Sequence, residues 1–320
     1  MLTIFSTAKP FVGHSAIIQR NALESWCRLT PDIEIILLGD VPGAAEICRE
    51  LRLRHEPQMA LNEHGAPLLN DLFERAQRLA HHEAVCYCNA DIIFTSDFVR
   101  ALERVRSRFE TFLMVGRRWD LDVIQPLDFS LLDWQETLVE RAHREGFQRL
   151  HYNIDYFAFP RGQYHDLPPV AIGRRWWDNW LLWKMRAAGV PVVDASETIT
   201  AIHQNHDYAH HPQGMAGVFF SEESRRNFEL CGGWSHLHTI EDAAYRLGPT
   251  GIRRNLSYWL APAKRRVRRA VETAQTFFRT RLWHPMLNAT RSLRHTLGLR
   301  KESFDPLRPR RASRRHWLDQ

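Results

Sequence analysis

Two oxygen-bearing side chains stand at the end of an apolar segment, where they could bind a cation. The segment Ala84–Phe94 is apolar and rich in β-forming residues, and it contains Asn89-Ala90-Asp91. Side chains alternate along a strand, so Asn89 and Asp91 should face the same side. Mg²⁺ and Mn²⁺ favour oxygen ligands, and a cation there could bridge the phosphates of a nucleotide sugar. The alternative is a turn at the end of a strand, where Asn and Asp are common.

A second acid, Asp178, stands where a helix is predicted to begin. It could be a structural acid in the first helical turn, or a general base presented beside an aromatic wall. Trp176, Trp180 and Trp183 recur at helical spacing, which is more typical of a core than of a sugar-binding surface. Trp177 lies off that stripe and is therefore the better candidate for stacking on a sugar ring.

Two histidines follow a predicted strand in the second half of the chain. His203 and His206 are three residues apart, and neutral imidazole is a common metal ligand. Solvated loop residues are the alternative interpretation. A zinc hydrolase would also use histidines, but the sequence contains no zinc signature such as His-Glu-x-x-His.

Four further polar residues are candidates for the rim of the site, with contacts to an acceptor or a sugar expected for Arg117, Asp120 and Asp155. Arg117, Arg118 and Asp120 follow the predicted strand Phe112–Val115, and Asp155 stands near the start of the predicted strand Ile154–Phe159. A solvated loop, or a cap on the preceding loop, is the alternative for each of them.

The elements that must position these residues alternate between strand and helix. The predicted strands are Leu2–Ser6, Glu34–Leu38, Ala84–Phe94, Phe112–Val115, Ile154–Phe159, Val190–Val193 and Ile199–Ile202. The predicted helices are Ala16–Leu29, Gly43–Leu51, Pro67–Ala80, one opening at Ser96, and Asp178–Ala188. This alternation predicts an α/β fold with a Rossmann-type, mostly parallel sheet flanked by helices.

The carboxyl ends of such strands form the usual ligand-binding edge of the sheet. That rule adds Ser6 and Thr7, after the first strand, and Asp40, after the second, to Asn89 and Asp91 as donor-binding candidates. The glycine-rich phosphate loops of dinucleotide-binding and P-loop proteins are absent, which argues against a dehydrogenase or a kinase.

Charge is distributed unevenly along the 320 residues. Residues 253–320 carry 18 Lys/Arg and 4 Asp/Glu, whereas residues 1–252 carry 25 Lys/Arg and 33 Asp/Glu. The break near Pro249-Thr250-Gly251 predicts a domain at residues 1–250 and a basic helical tail at residues 251–320, partly disordered at its end. Basic residues beside apolar ones suggest that the tail lies on an anionic membrane surface. An acidic glycan is an alternative partner, and nucleic acid is less favoured because no nucleic-acid-binding motif is present. A solvated helical tail without a partner is the remaining alternative.

The expected location is cytoplasmic, with the tail holding the protein peripherally on the inner face of the membrane. The chain opens directly on a strand pattern without a secretory signal, and no apolar run is long enough to span a membrane. Five cysteines without a disulfide-rich spacing indicate a reducing compartment, with Cys86 and Cys88 as strand residues.

The order of these motifs resembles that of the GT-A glycosyltransferases, in particular a bacterial group of glycosyltransferases. The resemblance covers roughly residues 1–250. It rests on the stretches Phe5–Phe11, Cys88–Asp91, Val115–Asp120, Trp177–Trp180 and Ala201–His206.

The resemblance implies roles for individual residues. Asp91 matches the second acid of the Asp-x-Asp motif, Asp178 matches the catalytic acid, and His203 or His206 matches a metal-binding histidine. The metal ligands are thus expected to be Asp91, His203 and His206, and the metal Mn²⁺ or Mg²⁺. Asn89 departs from the motif because it replaces the first aspartate, which removes one charge from the site.

The expected function is transfer of a sugar from a nucleotide-sugar donor to a hydroxyl of a glycan, lipid or small-molecule acceptor. The cation would neutralise the leaving diphosphate, and Asp178 would accept the proton of the acceptor hydroxyl. Two alternatives stay open. One is a degenerate GT-A fold that binds ligands without catalysis, and the other is a nucleotidyltransferase. Inverting and retaining chemistry are both compatible with the sequence.

Overall fold

The computed structural model describes residues 2–206, 221–256 and 258. The helices of this part of the chain are α1 (Gly13–Cys27), α2 (Ala44–Leu51), α3 (Leu69–Leu79), α4 (Ser96–Arg106), α5 (Trp134–Glu145), α6 (Trp177–Ala187) and α7 (Glu222–Leu230). The strands are β1 (Leu2–Thr7), β2 (Ile33–Leu38), β3 (Arg54–Glu56), β4 (Ala84–Cys88), β5 (Ile92–Ile93), β6 (Leu113–Val115), β7 (Arg118–Leu121), β8 (Phe147–Gln148), β9 (Tyr156–Pro160), β10 (Val192–Asp194), β11 (Ala201–Gln204), β12 (Tyr245–Gly248) and β13 (Gly251–Arg254).

The main sheet contains nine strands in the order β13-β12-β10-β6-β9-β4-β1-β2-β3. Five of its eight strand pairs are parallel, among them those of β1 with β2 and with β4. β9 runs antiparallel between β4 and β6, and β13 runs antiparallel to β12. The predicted mixed α/β fold, with a mostly parallel sheet flanked by helices, is therefore confirmed.

Apolar side chains of the central strands alternate between two cores, one on each face of the main sheet. Ile4 packs with Trp26 of α1 on one face, and the next residue, Phe5, packs with Phe73 of α3 on the other. The Phe5 and Phe73 rings meet edge to face at 5.1 Å. Burial on both faces explains why these strands are almost continuously apolar in the sequence.

A second sheet of four strands has the order β5-β11-β7-β8. It begins where the apolar segment predicted as one strand, Ala84–Phe94, divides. The chain turns after β4, with the amide N–H of Ile92 donating to the carbonyl of Asn89 (3.1 Å), and β5 then pairs with β11. Asn89-Ala90-Asp91 thus forms the turn that the sequence offered as the alternative. The run Ala84–Phe94 is two strands and not one, because both halves are buried and apolarity alone does not separate them.

The main sheet continues past the predicted domain boundary at residue 250. Gly251–Arg254 forms β13 and pairs with β12, so the Pro249-Thr250 stretch is the turn of a hairpin. The composition break marks this turn rather than the end of the domain. The rest of the predicted basic tail, residues 257 and 259–320, lies outside the described residues.

The described helices include none with the length and apolarity needed to cross a lipid bilayer. All five cysteines are free thiols, and Cys86 and Cys88 lie in β4 as predicted.

Candidate active site

Asp91 lies in the turn between β4 and β5, at the carboxyl edge of β4. Two backbone hydrogen bonds hold this turn in place. The amide N–H of Asn89 donates to the carbonyl of Asp155 (2.9 Å), and the amide N–H of Gln204 donates to the carbonyl of Asp91 (3.2 Å). The second of these bonds brings the end of β11 directly beside Asp91.

Two imidazoles from this region face the Asp91 carboxylate. His203 lies in β11, and His206 follows two residues after the end of that strand. Asp91 Oδ2 lies 3.2 Å from His206 Nε2 and 3.8 Å from His203 Nε2. One ligand atom from each of these three side chains lies within 4.8 Å of the other two. Ligands about 2.1 Å from one ion lie about 3 to 4 Å apart, so the three groups fit a single divalent cation after small movements.

The chemistry of the Asp91 carboxylate also fits a cation. Its Oδ1 atom is buried and accepts no hydrogen bond from any described residue. Burial opposes ionisation, but the charges and hydrogen bond of His203, His206 and Lys9 outweigh it and hold the pKa of Asp91 well below its usual range. The site thus contains an ionised carboxylate with one oxygen left without a donor, together with two imidazole nitrogens.

Lys9 adds a positive charge beside this cluster. Its Nζ lies 3.4 Å from His206 Nε2. The loop that carries Lys9 is hydrogen-bonded to Gln19 of α1. The Gln19 side chain accepts from the Lys9 amide N–H (2.7 Å) and donates to the Lys9 carbonyl (2.9 Å). Lys9 was not among the predicted site residues, although it follows β1 on the ligand-binding edge that the sequence identified.

The three donor-binding candidates near β1 and β2 differ in accessibility. Thr7 ends β1 and is partly exposed, and Asp40 follows β2 and is exposed. Ser6 is fully buried, and its hydroxyl donates to the Cys88 carbonyl at 2.5 Å. Ser6 therefore joins β1 to β4, and its predicted role as a donor ligand is wrong.

A buried network of charges lies behind the cluster. Arg118 donates through Nη1 to both oxygens of Asp155 (2.8 Å each) and through Nε to Asp120 (2.8 Å). Arg149 donates to the other oxygen of Asp120 (2.5 Å), and the Asn89 side chain donates to Asp155 (2.7 Å). The two carboxylates are each only 6% exposed.

These contacts correct three predicted roles. Asp120 and Asp155 are buried in ion pairs, so neither is an open contact for an acceptor or a sugar. Asn89 accepts from the Tyr87 hydroxyl (2.9 Å) as well as donating to Asp155, so its side chain faces this network and is not part of the cation cluster. Burial alone would raise the pKa of Asp120, but His203 and Arg118 hold it well below its usual range.

Arg118, which the sequence named beside Arg117 as a candidate, is the residue that links this network. The Arg117 side chain is partly exposed, and its amide N–H donates to the Ser196 hydroxyl (2.7 Å). Arg118 and Asp120 alternate around Trp119 in β7, so they share one face of the strand. That alternation places Arg118 beside Asp120.

Asp178 lies in the first turn of α6, as predicted. Burial raises its pKa to about 7, against the opposing effect of the Asn179 backbone N–H and with a further upward contribution from the charge of Asp155. The helix terminus favours the ionised form, and desolvation outweighs it. A carboxylate with this pKa changes its protonation state near neutral pH and can accept a proton there.

Trp177 does not provide a surface for a sugar. It is 5% exposed, and its ring packs against Tyr87 (5.3 Å between centroids) and Phe157 (5.7 Å) in the core. The predicted stacking role is wrong because the first turn of α6 directs this side chain into the sheet.

No protein-family model matches the chain, and no curated protein sequence matches it. Solved structures match it at low sequence identity. The glucosyl-3-phosphoglycerate synthase of Mycobacterium tuberculosis, in complex with Mg²⁺ and uridine diphosphate, is 13% identical, with 73% of this chain and 80% of that chain covered and a TM-score of 0.44. A candidate nucleotide-diphospho-sugar transferase from Desulfovibrio desulfuricans is 15% identical, with 72% and 96% covered and a TM-score of 0.39.

Residues 1–349 of TarS from S. aureus, in complex with UDP-GlcNAc, are 12% identical, with 38% of this chain and 35% of that chain covered and a TM-score of 0.30. The chain thus spans about a third of the TarS structures that it matches. The structure itself shows a mostly parallel sheet flanked by helices, as the sequence predicted.

Proposed function

We propose that this protein is a metal-assisted glycosyltransferase that moves a sugar from a nucleotide-sugar donor to an acceptor hydroxyl. One observation carries the proposal. The buried Asp91 Oδ1 has no hydrogen-bond donor among the described residues, while the other oxygen of the same carboxylate faces His203 and His206. This arrangement suits a divalent cation at the carboxyl edge of a parallel sheet, where ligands of such folds bind.

The donor would bind with its diphosphate at this edge. Asp91, His203 and His206 would hold Mn²⁺ or Mg²⁺, which would neutralise the charge that develops on the leaving diphosphate. Lys9, beside His206, supplies a further positive charge for the same phosphates. Thr7 and Asp40 lie on the same edge and are our candidates for contacts with the nucleoside.

Asp178 would act as the general base. The acceptor oxygen bonds to the anomeric carbon, the bond from that carbon to the diphosphate oxygen breaks, and the acceptor proton moves to the Asp178 carboxylate. A pKa of about 7 suits this role, because the base is ionised in a substantial fraction of molecules at neutral pH and still binds a proton readily. This description corresponds to an inverting reaction.

A thermal-shift screen tests the proposal, since a ligand that binds only the folded protein raises its Tm. The probes are UDP-glucose, UDP-GlcNAc, GDP-mannose and free UDP, each with and without MnCl₂. We expect at least one nucleotide sugar to raise the Tm in a Mn²⁺-dependent way, and Asp91→Asn to abolish that rise. The matched control is Asp128→Asn, because Asp128 is an exposed acid whose carboxylate contacts only Ser130 among the described residues.

The products then separate the three functions. Release of a nucleoside diphosphate on addition of an acceptor supports a glycosyltransferase, whereas pyrophosphate formation would indicate a nucleotidyltransferase. Binding without turnover across the acceptors tested would favour a non-catalytic binding module. A complete absence of Mn²⁺-dependent shifts would remove the proposal.

The tail carries a separate proposal, which rests on sequence alone because it concerns residues outside the described part of the chain. We propose that its basic cluster binds anionic membrane surfaces on the cytoplasmic side. Each Lys or Arg near such a surface contributes about 1 kcal/mol at modest salt. The test is co-sedimentation of the 320-residue chain with phosphatidylserine vesicles, and equal pelleting after neutralisation of the cluster would reject the idea. The neutralised variant carries Gln at Lys264, Arg265, Arg266, Arg268 and Arg269.

A further inference from the structure

The two ring nitrogens of His203 face two different carboxylates. Nε2 lies 3.8 Å from Asp91 Oδ2, on the side of the candidate cation site. Nδ1 lies 3.3 Å from Asp120 Oδ1, on the side of the buried charge network. Nδ1 is itself buried and has no well-aligned hydrogen bond to any described residue, so a small rotation of the ring would let it donate to Asp120. The His203 ring thus lies between Asp91, which could share a cation with it, and Asp120, which could fix its orientation.

The backbone enforces this arrangement. β11 and β7 run parallel, and His203 and Asp120 are register partners across the pair. Side chains of residues directly opposite each other in a sheet lie on the same face, so these two groups are held adjacent. Asp120 cannot turn away, because Arg118 and Arg149 each donate to one of its oxygens.

We propose that Asp120 is a positioning residue for His203. Its carboxylate accepts the Nδ1 proton, which fixes the ring orientation and leaves the Nε2 lone pair directed at the Asp91 side. Histidines that bind metals commonly donate their second N–H to a carboxylate or carbonyl in this way. Arg118 and Arg149 in turn hold Asp120. This inference rests on the proposed cation site and assigns Asp120 a role that acts through His203, without contact to substrate.

The first test measures Mn²⁺ affinity, by electron paramagnetic resonance of free Mn²⁺, in Asp120→Asn and in the matched control Asp155→Asn. The two aspartates are equally buried and both pair with Arg118, but only Asp120 is a register partner of His203. Loss of a group that orients a metal ligand typically weakens affinity by about 10–100-fold. We expect that loss in Asp120→Asn and an affinity within about threefold of wild type in Asp155→Asn. Equal losses in both variants would mean that disruption of the Arg118 network, and not the orientation of His203, is responsible.

The second test needs no substitution of Asp120 and so does not depend on how that variant folds. Nitrogen-15 NMR of the histidine-labelled, metal-free wild-type protein reports which ring nitrogen carries the proton, with His203→Asn used to assign the signal. We expect the Nδ1–H tautomer at a pH at which the ring is neutral. A predominant Nε2–H tautomer would overturn the inference.

These measurements separate the inference from the function on which it rests. Failure of wild-type protein to bind Mn²⁺, or full affinity in Asp91→Asn, would remove the cation site. Mn²⁺ binding that requires Asp91 but is unaffected by Asp120→Asn would remove only the positioning role of Asp120.

Discussion

Replacing Asp178 by asparagine should have opposite effects on turnover and on stability. Asparagine has almost the same shape as aspartate and can accept the same backbone hydrogen bonds, but it cannot accept a proton as a base. General-base catalysis typically contributes about 10²–10⁴-fold in rate, so we expect turnover to fall by at least about 10²-fold. Donor affinity should stay near that of wild type, because the cation cluster does not include Asp178.

The pH dependence gives the prediction its sharpest form. Only the ionised carboxylate can accept a proton, so kcat/KM of the wild-type protein should rise with pH through about 7. Stability should move the other way. The native pKa of about 7 lies above the unfolded value of about 3.9, so between these values the native state binds more protons and stability falls as pH rises.

The magnitude follows from the size of the shift. A rise of about 3 in pKa corresponds to about 4 kcal/mol. Because the Asp178 side chain is partly exposed, solvent screening lowers our expectation to about 1–3 kcal/mol. Asp178→Asn should remove this pH-dependent loss of stability. The stability of the variant minus that of wild type should therefore be larger at pH 8 than at pH 4.

The assay combines urea denaturation at pH 4, 6 and 8 with nucleoside diphosphate release by the same preparations, expressed per folded molecule. A variant that keeps full turnover would show that Asp178 is only a structural acid in the first helical turn. If the stability of wild type does not fall relative to that of the variant between pH 4 and pH 8, the Asp178 carboxyl is not desolvated in the folded protein.

The remaining predictions concern the cation cluster, the neighbouring lysine and the packing of the sheet edge. Asp91→Asn should abolish measurable Mn²⁺ binding in calorimetry, whereas Asn89→Asp should not tighten it and should lower the Tm, because the new carboxylate would lie against an existing one. Lys9→Met should weaken affinity for UDP with Mn²⁺ by about 10–100-fold, as expected for loss of a charged hydrogen bond, and should reduce the salt dependence of binding measured by the same method. Gly116→Ala should destabilise the protein by about 1–3 kcal/mol in urea denaturation, because the added Cβ would overlap the buried hydroxyl of Tyr156. An unchanged midpoint would mean that the ring can move aside.

The elements with the clearest patterns were predicted to within a few residues. β1, β2 and β6 are mostly apolar runs in the sequence, and α2 and α3 repeat apolar residues at helical spacing. The missed elements are short or polar. β3 (Arg54–Glu56) has no fully buried residue, and β8 has only two residues. Each is a strand because it pairs with a neighbour, β3 with β2 and β8 with β7. Such pairing depends on contacts distant in sequence, which local patterns do not contain.

The same distinction applies to the site. Asp91, His203 and His206 were named from the sequence, and the structure brings them together from positions more than 100 residues apart. Lys9 was missed because a lone lysine after a strand carries no local signal. The buried partners of Asp120 and Asp155 were missed for another reason, since a carboxylate near a strand end has the same sequence pattern whether it faces solvent or an arginine.

Asn89 illustrates why a departure from a motif has to be interpreted together with its neighbours. By comparison with Asp-x-Asp, an asparagine in place of the first acid removes one charge from the site. In the structure this side chain lies 2.7 Å from the Asp155 carboxylate, to which it donates. An aspartate there would oppose a second carboxylate at that distance.

The charge balance of the network leads to the same conclusion. Arg118 and Arg149 already match Asp120 and Asp155 in charge, and a third buried carboxylate would leave the network with an unpaired negative charge. Unpaired buried charges are strongly destabilising. The ion pairs behind the site thus require a neutral residue at position 89. The groups that could bind a cation come from elsewhere, namely the Asp91 carboxylate and the imidazoles of His203 and His206. Asparagine at this position therefore supports neither a loss of metal binding nor a non-catalytic protein.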